Sequence, residues 1–531
     1  MIERLPSTSS VVTAIGRGHR GCPVNFTSDQ LQAIDHSKGN LQLIACAGSG
    51  KTEVVARRVA NLLKTGKAQG LTPAGIVAFT FTDKAAAELK ERIVTRCREE
   101  LGDIVGMAEM YVGTIHGYCL DLLKTEVPEY LKYGVLNEVQ QTLLVDRSSR
   151  ASGLTASTDL NGASLQRFTD TSRYVAALGI LREARLNDKK LKGVSVVDGL
   201  KLYQALLAEK RYLDYSAIMV QAVRAVAQDK SLQKRLAARI KHVIVDEYQD
   251  VNPIQECIVK LLHDLGAHVC VVGDDDQTIY QWRGSDITNI NSFATRYPKV
   301  QKVRLQENFR SSKGVVETAR DFISQNTKRL AKAMVPTNAQ PFETGDIVAL
   351  ALDNPKAEAE FIATTVKQLR GIAFQDGDRT RGLSYSDCAI LLLSVKANAD
   401  PIVSALKATG IPAIIIGMNH LFDTQEAQAA RLIFYFMVDR NGTDRDTLRN
   451  AWLGANVGVK PLKLDFAIDK LQEAKGDLKS PDQKRWGFYS LQRQYLNFLE
   501  NAELREEVVP EGAEGIDRGE VFFTTLANSA N

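Results

Sequence analysis

Residues 41–52 read LQLIACAGSGKT, an apolar run that breaks into small residues and ends in Lys-Thr. The run has the composition of a strand buried on both faces, and residues 52–65 then carry helical spacing. A loop between a strand and a helix N-terminus presents several backbone N–H groups at the positive end of the helix dipole. Gly48 and Gly50 permit the tight turn, while Ala45, Cys46, Ala47 and Ser49 are small enough to let phosphate oxygens approach. Lys51 then reaches the β- and γ-phosphates, and the Thr52 hydroxyl is placed to ligate Mg²⁺. Ala45 stands where the general G-x-x-x-x-G-K-[ST] pattern has its first glycine.

Working outward, GIVAFTF (75–81) and MYVGT (110–114) read as further buried parallel strands, with a helical stretch at 83–100. Strand–helix alternation predicts an α/β fold, a parallel sheet wound with right-handed crossovers. Residues 116–241 break the rhythm and read as a mainly helical insertion. Strands return at HVIVDE (242–247) and HVCVVGD (268–274). VRLQ (303–306), DIVALAL (346–352), CAILLL (388–393) and AIIIG (413–417) predict a second strand set, and residues 424–499 are helical in pattern.

VIVDEYQD (243–250) places Asp246 and Glu247 at the carboxyl end of an apolar strand, the end at which open parallel sheets bind ligands. With a phosphate loop present, the two acids divide into two jobs: Asp246 holds the Mg²⁺ shell and Glu247 orients and deprotonates the attacking water.

DEYQD and AGSGKT together resemble the superfamily 1 DNA helicases of the UvrD/Rep type. Further matches follow in that family's order: NFTSDQLQAI (25–34), FTFTDKAAAEL (79–89), VGTIHGYCL (112–120), VVGDDDQTIYQWRG (271–284) and LQENFRSS (305–312). The resemblance implies a RecA-like P-loop NTPase with ATP and Mg²⁺ as cofactors. It implies that Gln30 reads the adenine, Gln277 senses the γ-phosphate, Phe309 stacks on the base and Arg310 contacts the γ-phosphate. A guanidinium suits charge developing in phosphoryl transfer, because its donors form a fixed fork. Phe81, Tyr280 and Trp282 match aromatics that stack on single-stranded bases, and Thr82, Thr114 and His116 match residues that hold the sugar-phosphate. The implied partners are single-stranded DNA and duplex junctions. The implied activity is ATP-driven 3′–5′ unwinding or translocation in repair, recombination or defence. A relative that binds ATP and single-stranded DNA without unwinding is the alternative.

Two departures stand out. The family has Arg after G-K-T to clamp the adenine; here it is Glu53, which leaves Phe309 and Arg57 to hold the base. Two late motifs, resembling T-x-H-x-A-K-G-L-E and R-L-x-Y-V-A-x-T-R, are not found, and GEVFFTTLANSAN (519–531) ends the sequence. The expectation is a C-terminally truncated relative with weak coupling between nucleotide and domain closure. Its expected domains are a disordered tail (1–24), a first RecA-like domain (25–115 with 242–302) and the helical insertion (116–241). A partial second RecA-like domain (303–423) and the start of a helical accessory domain (424–531) complete the set.

Composition sets the outer limits. The 531 residues suggest three or four domains, and 44% hydrophobic with 24% charged residues excludes collagen-like and wholly disordered chains. The net charge of +4 is too even to mark a partner, so any nucleic-acid surface must be local. Seven scattered cysteines without C-x-x-C spacing argue against a zinc ribbon or a disulfide framework and for a reducing, cytoplasmic setting. No apolar run approaches the length of a membrane span, and Val11–Ile15 is no signal-peptide core.

Overall fold

The computed structural model describes residues 12–14 and 26–504, apart from 160, 185, 187–190, 192, 282–283, 328, 338–341, 377–378, 416–424, 440–441, 456 and 478–487. The described residues fall into two compact units. One comprises those of Met1–Val135, Ala176–Asp198 and Leu207–Ala413; the other comprises those of Leu136–Val175, Gly199–Leu206 and Ile414–Asn531.

The first unit is built on six parallel strands: β1 (Asn40–Ala45), β2 (Ile76–Thr80), β3 (Tyr111–Thr114), β4 (His242–Val245), β5 (His268–Gly273) and β6 (Val300–Leu305). Their order across the sheet is β3-β2-β4-β5-β1-β6. Every residue of β1, β2 and β4 is buried, which is why these strands read as unbroken apolar runs. Helices α2 (Lys51–Gly66) and α3 (Asp83–Leu101) follow the sequence expectation, and a further helix, α1 (Ser28–Asp35), precedes β1. Val55, Val59, Leu62, Leu89 and Ile93 of α2 and α3 pack with Leu41, Leu43, Ile244 and Val272 of the sheet. Residues of α4 (Ile115–Glu126) and of the helices Tyr215–Gln228 and Pro253–Asp264 pack with Val77, Phe79, Val243, Val245 and Val271 in a second core. The insertion is mainly helical as expected, with one short parallel pair, Gly134–Val135 against Tyr212–Leu213.

Three expectations change. VRLQ does not open a second sheet: its first three residues close β6, which pairs in parallel with β1 from Asn40↔Val300 to Ala45↔Leu305. Residues 346–352 and 388–393 are irregular, and Ile347, Val348, Leu350, Ile390, Leu391 and Leu393 are exposed. The described part of AIIIG, residues 413–415, is likewise irregular. Composition favours strands there, but a strand forms only against a partner's N–H and C=O groups, and among the described residues these runs have none. Lastly, Val12–Ala14, expected in a loose tail, pairs in parallel with Phe374–Asp376 beside the hairpin of Ala373–Asp376 and Arg379–Gly382. The helices Pro355–Leu369 and Val395–Ala408 share a small core of Ala359, Ala363, Ile402, Leu406 and Ile411.

The second unit is helical. Gln425–Met437, Arg445–Gly454, Pro461–Asp477 and Phe488–Asn501 enclose a core of Ile433, Leu448, Trp452, Leu464, Ile468, Tyr495 and Phe498. No helix among the described residues is long and apolar enough to cross a membrane.

Candidate nucleotide site and nucleic-acid face

The phosphate loop runs from the end of β1 into α2, and Gly50 is the residue from which α2 starts. Gly48 (φ 69°) and Gly50 (φ 83°) both lie in the left-handed region, which costs glycine nothing. At Gly48 space is a second constraint: a Cβ there would lie 2.7 Å from Oδ1 of Asn308. Ala45 tolerates its Cβ because it is still the last residue of the strand. The Ser49 hydroxyl donates to the Cys46 carbonyl (2.7 Å), fixing the loop from within. The Cys46 thiol, buried and pushed up to about 11 chiefly by that burial, donates to the Ala333 carbonyl (3.3 Å).

Across the loop, Lys51 Nζ donates to both carboxylate oxygens of Glu247, at 3.1 and 3.2 Å. Glu247 sits just beyond β4 with φ 49° and ψ 44°, a left-handed backbone on a residue that disfavours it. Burial first, and the Glu247 charge second, push the Asp246 carboxyl up to about 6. The same two causes push Asp250 to about 7. The Asp246 carboxylate and the Thr52 hydroxyl, which has no partner among the described residues, are oxygen donors of the kind a hard dication takes. A chain of contacts continues sideways. Gln249 donates to Glu247 (2.8 Å) and accepts from the Asp274 backbone N–H (3.0 Å); the Gln277 amide donates to the Asp274 carboxylate (2.6 Å).

On the other side, Gln30 is half of a capping box with Thr27, and its Nε2 donates to the Ser49 carbonyl (3.1 Å). It therefore braces the loop, and its amide is already engaged at both ends. A cavity of about 360 Å³ opens there, lined by Thr27, Gln30, Ser49, Leu305, Phe309 and Thr337 among others. Phe309 is tied to the loop by its own N–H, which donates to the Gly48 carbonyl (3.0 Å). Arg310 is exposed and makes no side-chain hydrogen bond or ion pair among the described residues. Arg57 does not face the cavity with free donors: its guanidinium engages Glu53 (3.1 Å), Glu99 (3.2 Å) and Glu100 (2.9 Å). Glu53 in turn pairs with Arg96 (2.8 Å), so the departure after G-K-T serves to join α2 to α3.

The structure brings Phe81 and Tyr280 together, with ring centroids 4.8 Å apart and both rings half-buried. Thr82 and Thr114 cap α3 and α4, accepting from Ala85 N–H (3.2 Å) and Gly117 N–H (3.1 Å). Each hydroxyl proton is left to donate outward, beside a helix N-terminus. His116 follows Thr114 in the first turn of α4, and burial lowers its pKa, so the imidazole is neutral near pH 7. Trp282 lies outside the described residues.

Sequence reading passed over several residues that organise this site. Asn308 donates to the Ala47 carbonyl (2.8 Å) and accepts from the N–H groups of Arg310 (2.9 Å) and Ser311 (2.8 Å), so one buried amide aligns N-F-R with the phosphate loop. Gln249 links Glu247 to Asp274, and Arg329 and Lys332 reach the triple aspartate from beyond residue 320. Asn308 and Gln249 stand inside motifs and carried a signal; Arg329 and Lys332 carried none.

A parallel sheet with a glycine-rich phosphate loop on one strand and paired acids on another defines a P-loop protein of RecA-like fold. The UvrD/REP helicase N-terminal domain matches residues 26–298, and the UvrD-like helicase C-terminal domain matches residues 303–472. The chain belongs to the UvrD/REP helicase family. It is 27% identical over 510 residues to the ATP-dependent DNA helicase PcrA of Staphylococcus epidermidis, covering 91% of this chain and 65% of that relative. It is 29% identical over 415 residues to the protein of the same name from Bacillus subtilis, covering 76% of this chain and 53% of the relative. The chain thus spans at most 65% of the length of these curated relatives.

Proposed function

We propose that this chain binds and hydrolyses ATP with Mg²⁺ and uses the cycle to move along single-stranded DNA toward duplex junctions, as a 3′–5′ helicase or translocase. The observation that carries the reading is the Lys51–Glu247 pair, which joins the phosphate loop to the acidic strand end. Arriving phosphates take over the Lys51 ammonium. Glu247 is thereby released to orient the attacking water and accept its proton. Thr52 and Asp246 would hold Mg²⁺, which when bound would supply neutralisation of the phosphate charge. The base enters the cavity beside Gln30 and stacks on Phe309. Arg310, unpaired in the described structure, and Gln277 complete the γ-phosphate contacts. Phe81, Tyr280 and Trp282 form the base platform, flanked by Thr82, Thr114 and His116 on the backbone. The six cysteines among the described residues are free thiols, in keeping with action in the reducing cytoplasm.

The test is ATP hydrolysis by the purified chain with and without single-stranded DNA, and with Lys51→Ala beside it. DNA should raise the rate, and Lys51→Ala should lower it by roughly 10²-fold or more, as for loss of a donor to developing phosphate charge. Hydrolysis indifferent to DNA, or surviving in Lys51→Ala, overturns the reading.

A further inference from the structure

Asp274, Asp275 and Asp276 lie on one turn at the carboxyl end of β5, and their side chains are 1%, 0% and 6% exposed. They form a close-set acidic cluster among the described residues, with ligand atoms near enough to share a cation. The cation present is the protein's own. Lys332 Nζ, on a side chain 1% exposed, contacts Asp274 (2.5 Å), Asp275 and Asp276 (3.1 Å). Arg329 adds a bidentate pair to Asp276, at 2.9 and 2.5 Å, and the Leu330 N–H donates to Asp275 (2.6 Å). Three buried carboxylates are thus met by two cations from one short segment.

The two oxygens of Asp274 have separate duties. Oδ1 receives Lys332 and the Asp276 N–H, and Oδ2 receives the Gln277 amide. The segment bearing Lys332 is itself fixed: Ala333 accepts the Cys46 thiol of the phosphate loop, and its N–H donates to Gln306 (2.8 Å). We infer that Lys332 is a positioning residue for γ-phosphate recognition: by pairing with Oδ1 of Asp274 it fixes the orientation of that carboxylate, and so aims the Gln277 amide held by Oδ2. The inference rests on the reading of Gln277 as a γ-phosphate contact. Without the ammonium, Oδ1 loses its cationic partner, the buried carboxylate is free to turn, and the Gln277 amide loses its fixed acceptor.

The experiment is a fluorescence titration of the full chain, in Mg²⁺ buffer, with ADP and with a non-hydrolysable ATP analogue. The quantity read is the ratio of the two dissociation constants. Gln277→Ala should lower the preference for the triphosphate at least about tenfold, the worth of one hydrogen bond to a charged oxygen. Lys332→Met should lower it by a similar factor while leaving ADP affinity unchanged, which a merely structural defect would not do. If Lys332→Met fails to fold, Lys332→Met/Asp275→Asn removes one acidic charge along with the ammonium and is read in its place. Loss of preference in Gln277→Ala but not in the folded Lys332 variant overturns the inference alone. Retained preference in Gln277→Ala overturns the γ-phosphate reading of Gln277, and the inference falls with it.

Discussion

Glu247 holds a left-handed backbone without being glycine, at a cost of roughly 1–2 kcal/mol, and it does so at the residue assigned to the water. The conformation turns its carboxylate back toward Lys51, where both oxygens are engaged. ATP binding must break that pair before the ammonium can serve the phosphates. Both partners keep some exposure, 13% and 34%, so the pair is worth at most about 1 kcal/mol. Glu247→Gln should therefore bind ATP up to about fivefold more tightly, by conversion of that energy. It should also lose turnover by about 10²–10⁴-fold, because an amide accepts no proton. Fluorescent-nucleotide titration and single-turnover hydrolysis check the two halves, and weaker ATP binding by Glu247→Gln would contradict the competition.

At the scale of elements, β4 and β5 set His242 directly beside His268, with rings 5.5 Å apart. Burial, then the charges of Arg58 and His268, lower His242 from its ordinary 6.5 to about 4. The folded chain refuses a proton that the unfolded chain accepts. Stability is therefore unaffected above about pH 6.5 and falls as pH drops from there to about 4. For this residue the full loss is about 3 kcal/mol, and His36 and His268 shift in the same direction. Urea unfolding between pH 7 and 4.5 should show a shallower decline in His242→Gln; identical slopes would remove the histidine from the account. The strands themselves were legible where chemistry was local, as at LQLIACA, where the run and its glycine turn are contiguous. VRLQ was misassigned because a strand's sheet is chosen by its partner, and β6 pairs with residues some 260 positions earlier. Residues 388–393 read as a strand on composition alone, which ignores the need for a partner. The candidate site was marked out in the sequence wherever a motif fixed spacing, from Lys51 to Arg310. Lys332 was not, because an isolated lysine acquires meaning only when the fold carries it to three buried aspartates.

At the scale of the whole molecule, the near-balanced charge leaves the proposed DNA affinity to local contacts. Phosphate contacts release counterions, so affinity for single-stranded DNA should fall linearly on a log–log plot against salt, by about 0.7 per neutralised phosphate. Tyr280, packed on Phe81, would touch a base instead. Tyr280→Ala should weaken binding by about 1–3 kcal/mol at every salt concentration without altering the slope. Fluorescence anisotropy across a salt series separates the two, and a changed slope would place the ring's effect on the backbone. The sheet order has a further consequence, for synthesis. The outer pair β3-β2 and the phosphate strand β1 leave the ribosome before β4 and β5, yet β4 and β5 lie between them in the sheet. Those two come only after the 127 residues from Ile115 to Lys241 have been made. At 5–20 residues per second, half a sheet stands open for about 6–25 s, its apolar faces bare to whatever else is nearby. A nascent chain stalled anywhere in that interval would display a complete glycine loop with nothing to set it against. The cradle for the nucleotide is translated well before the strands that complete its sheet.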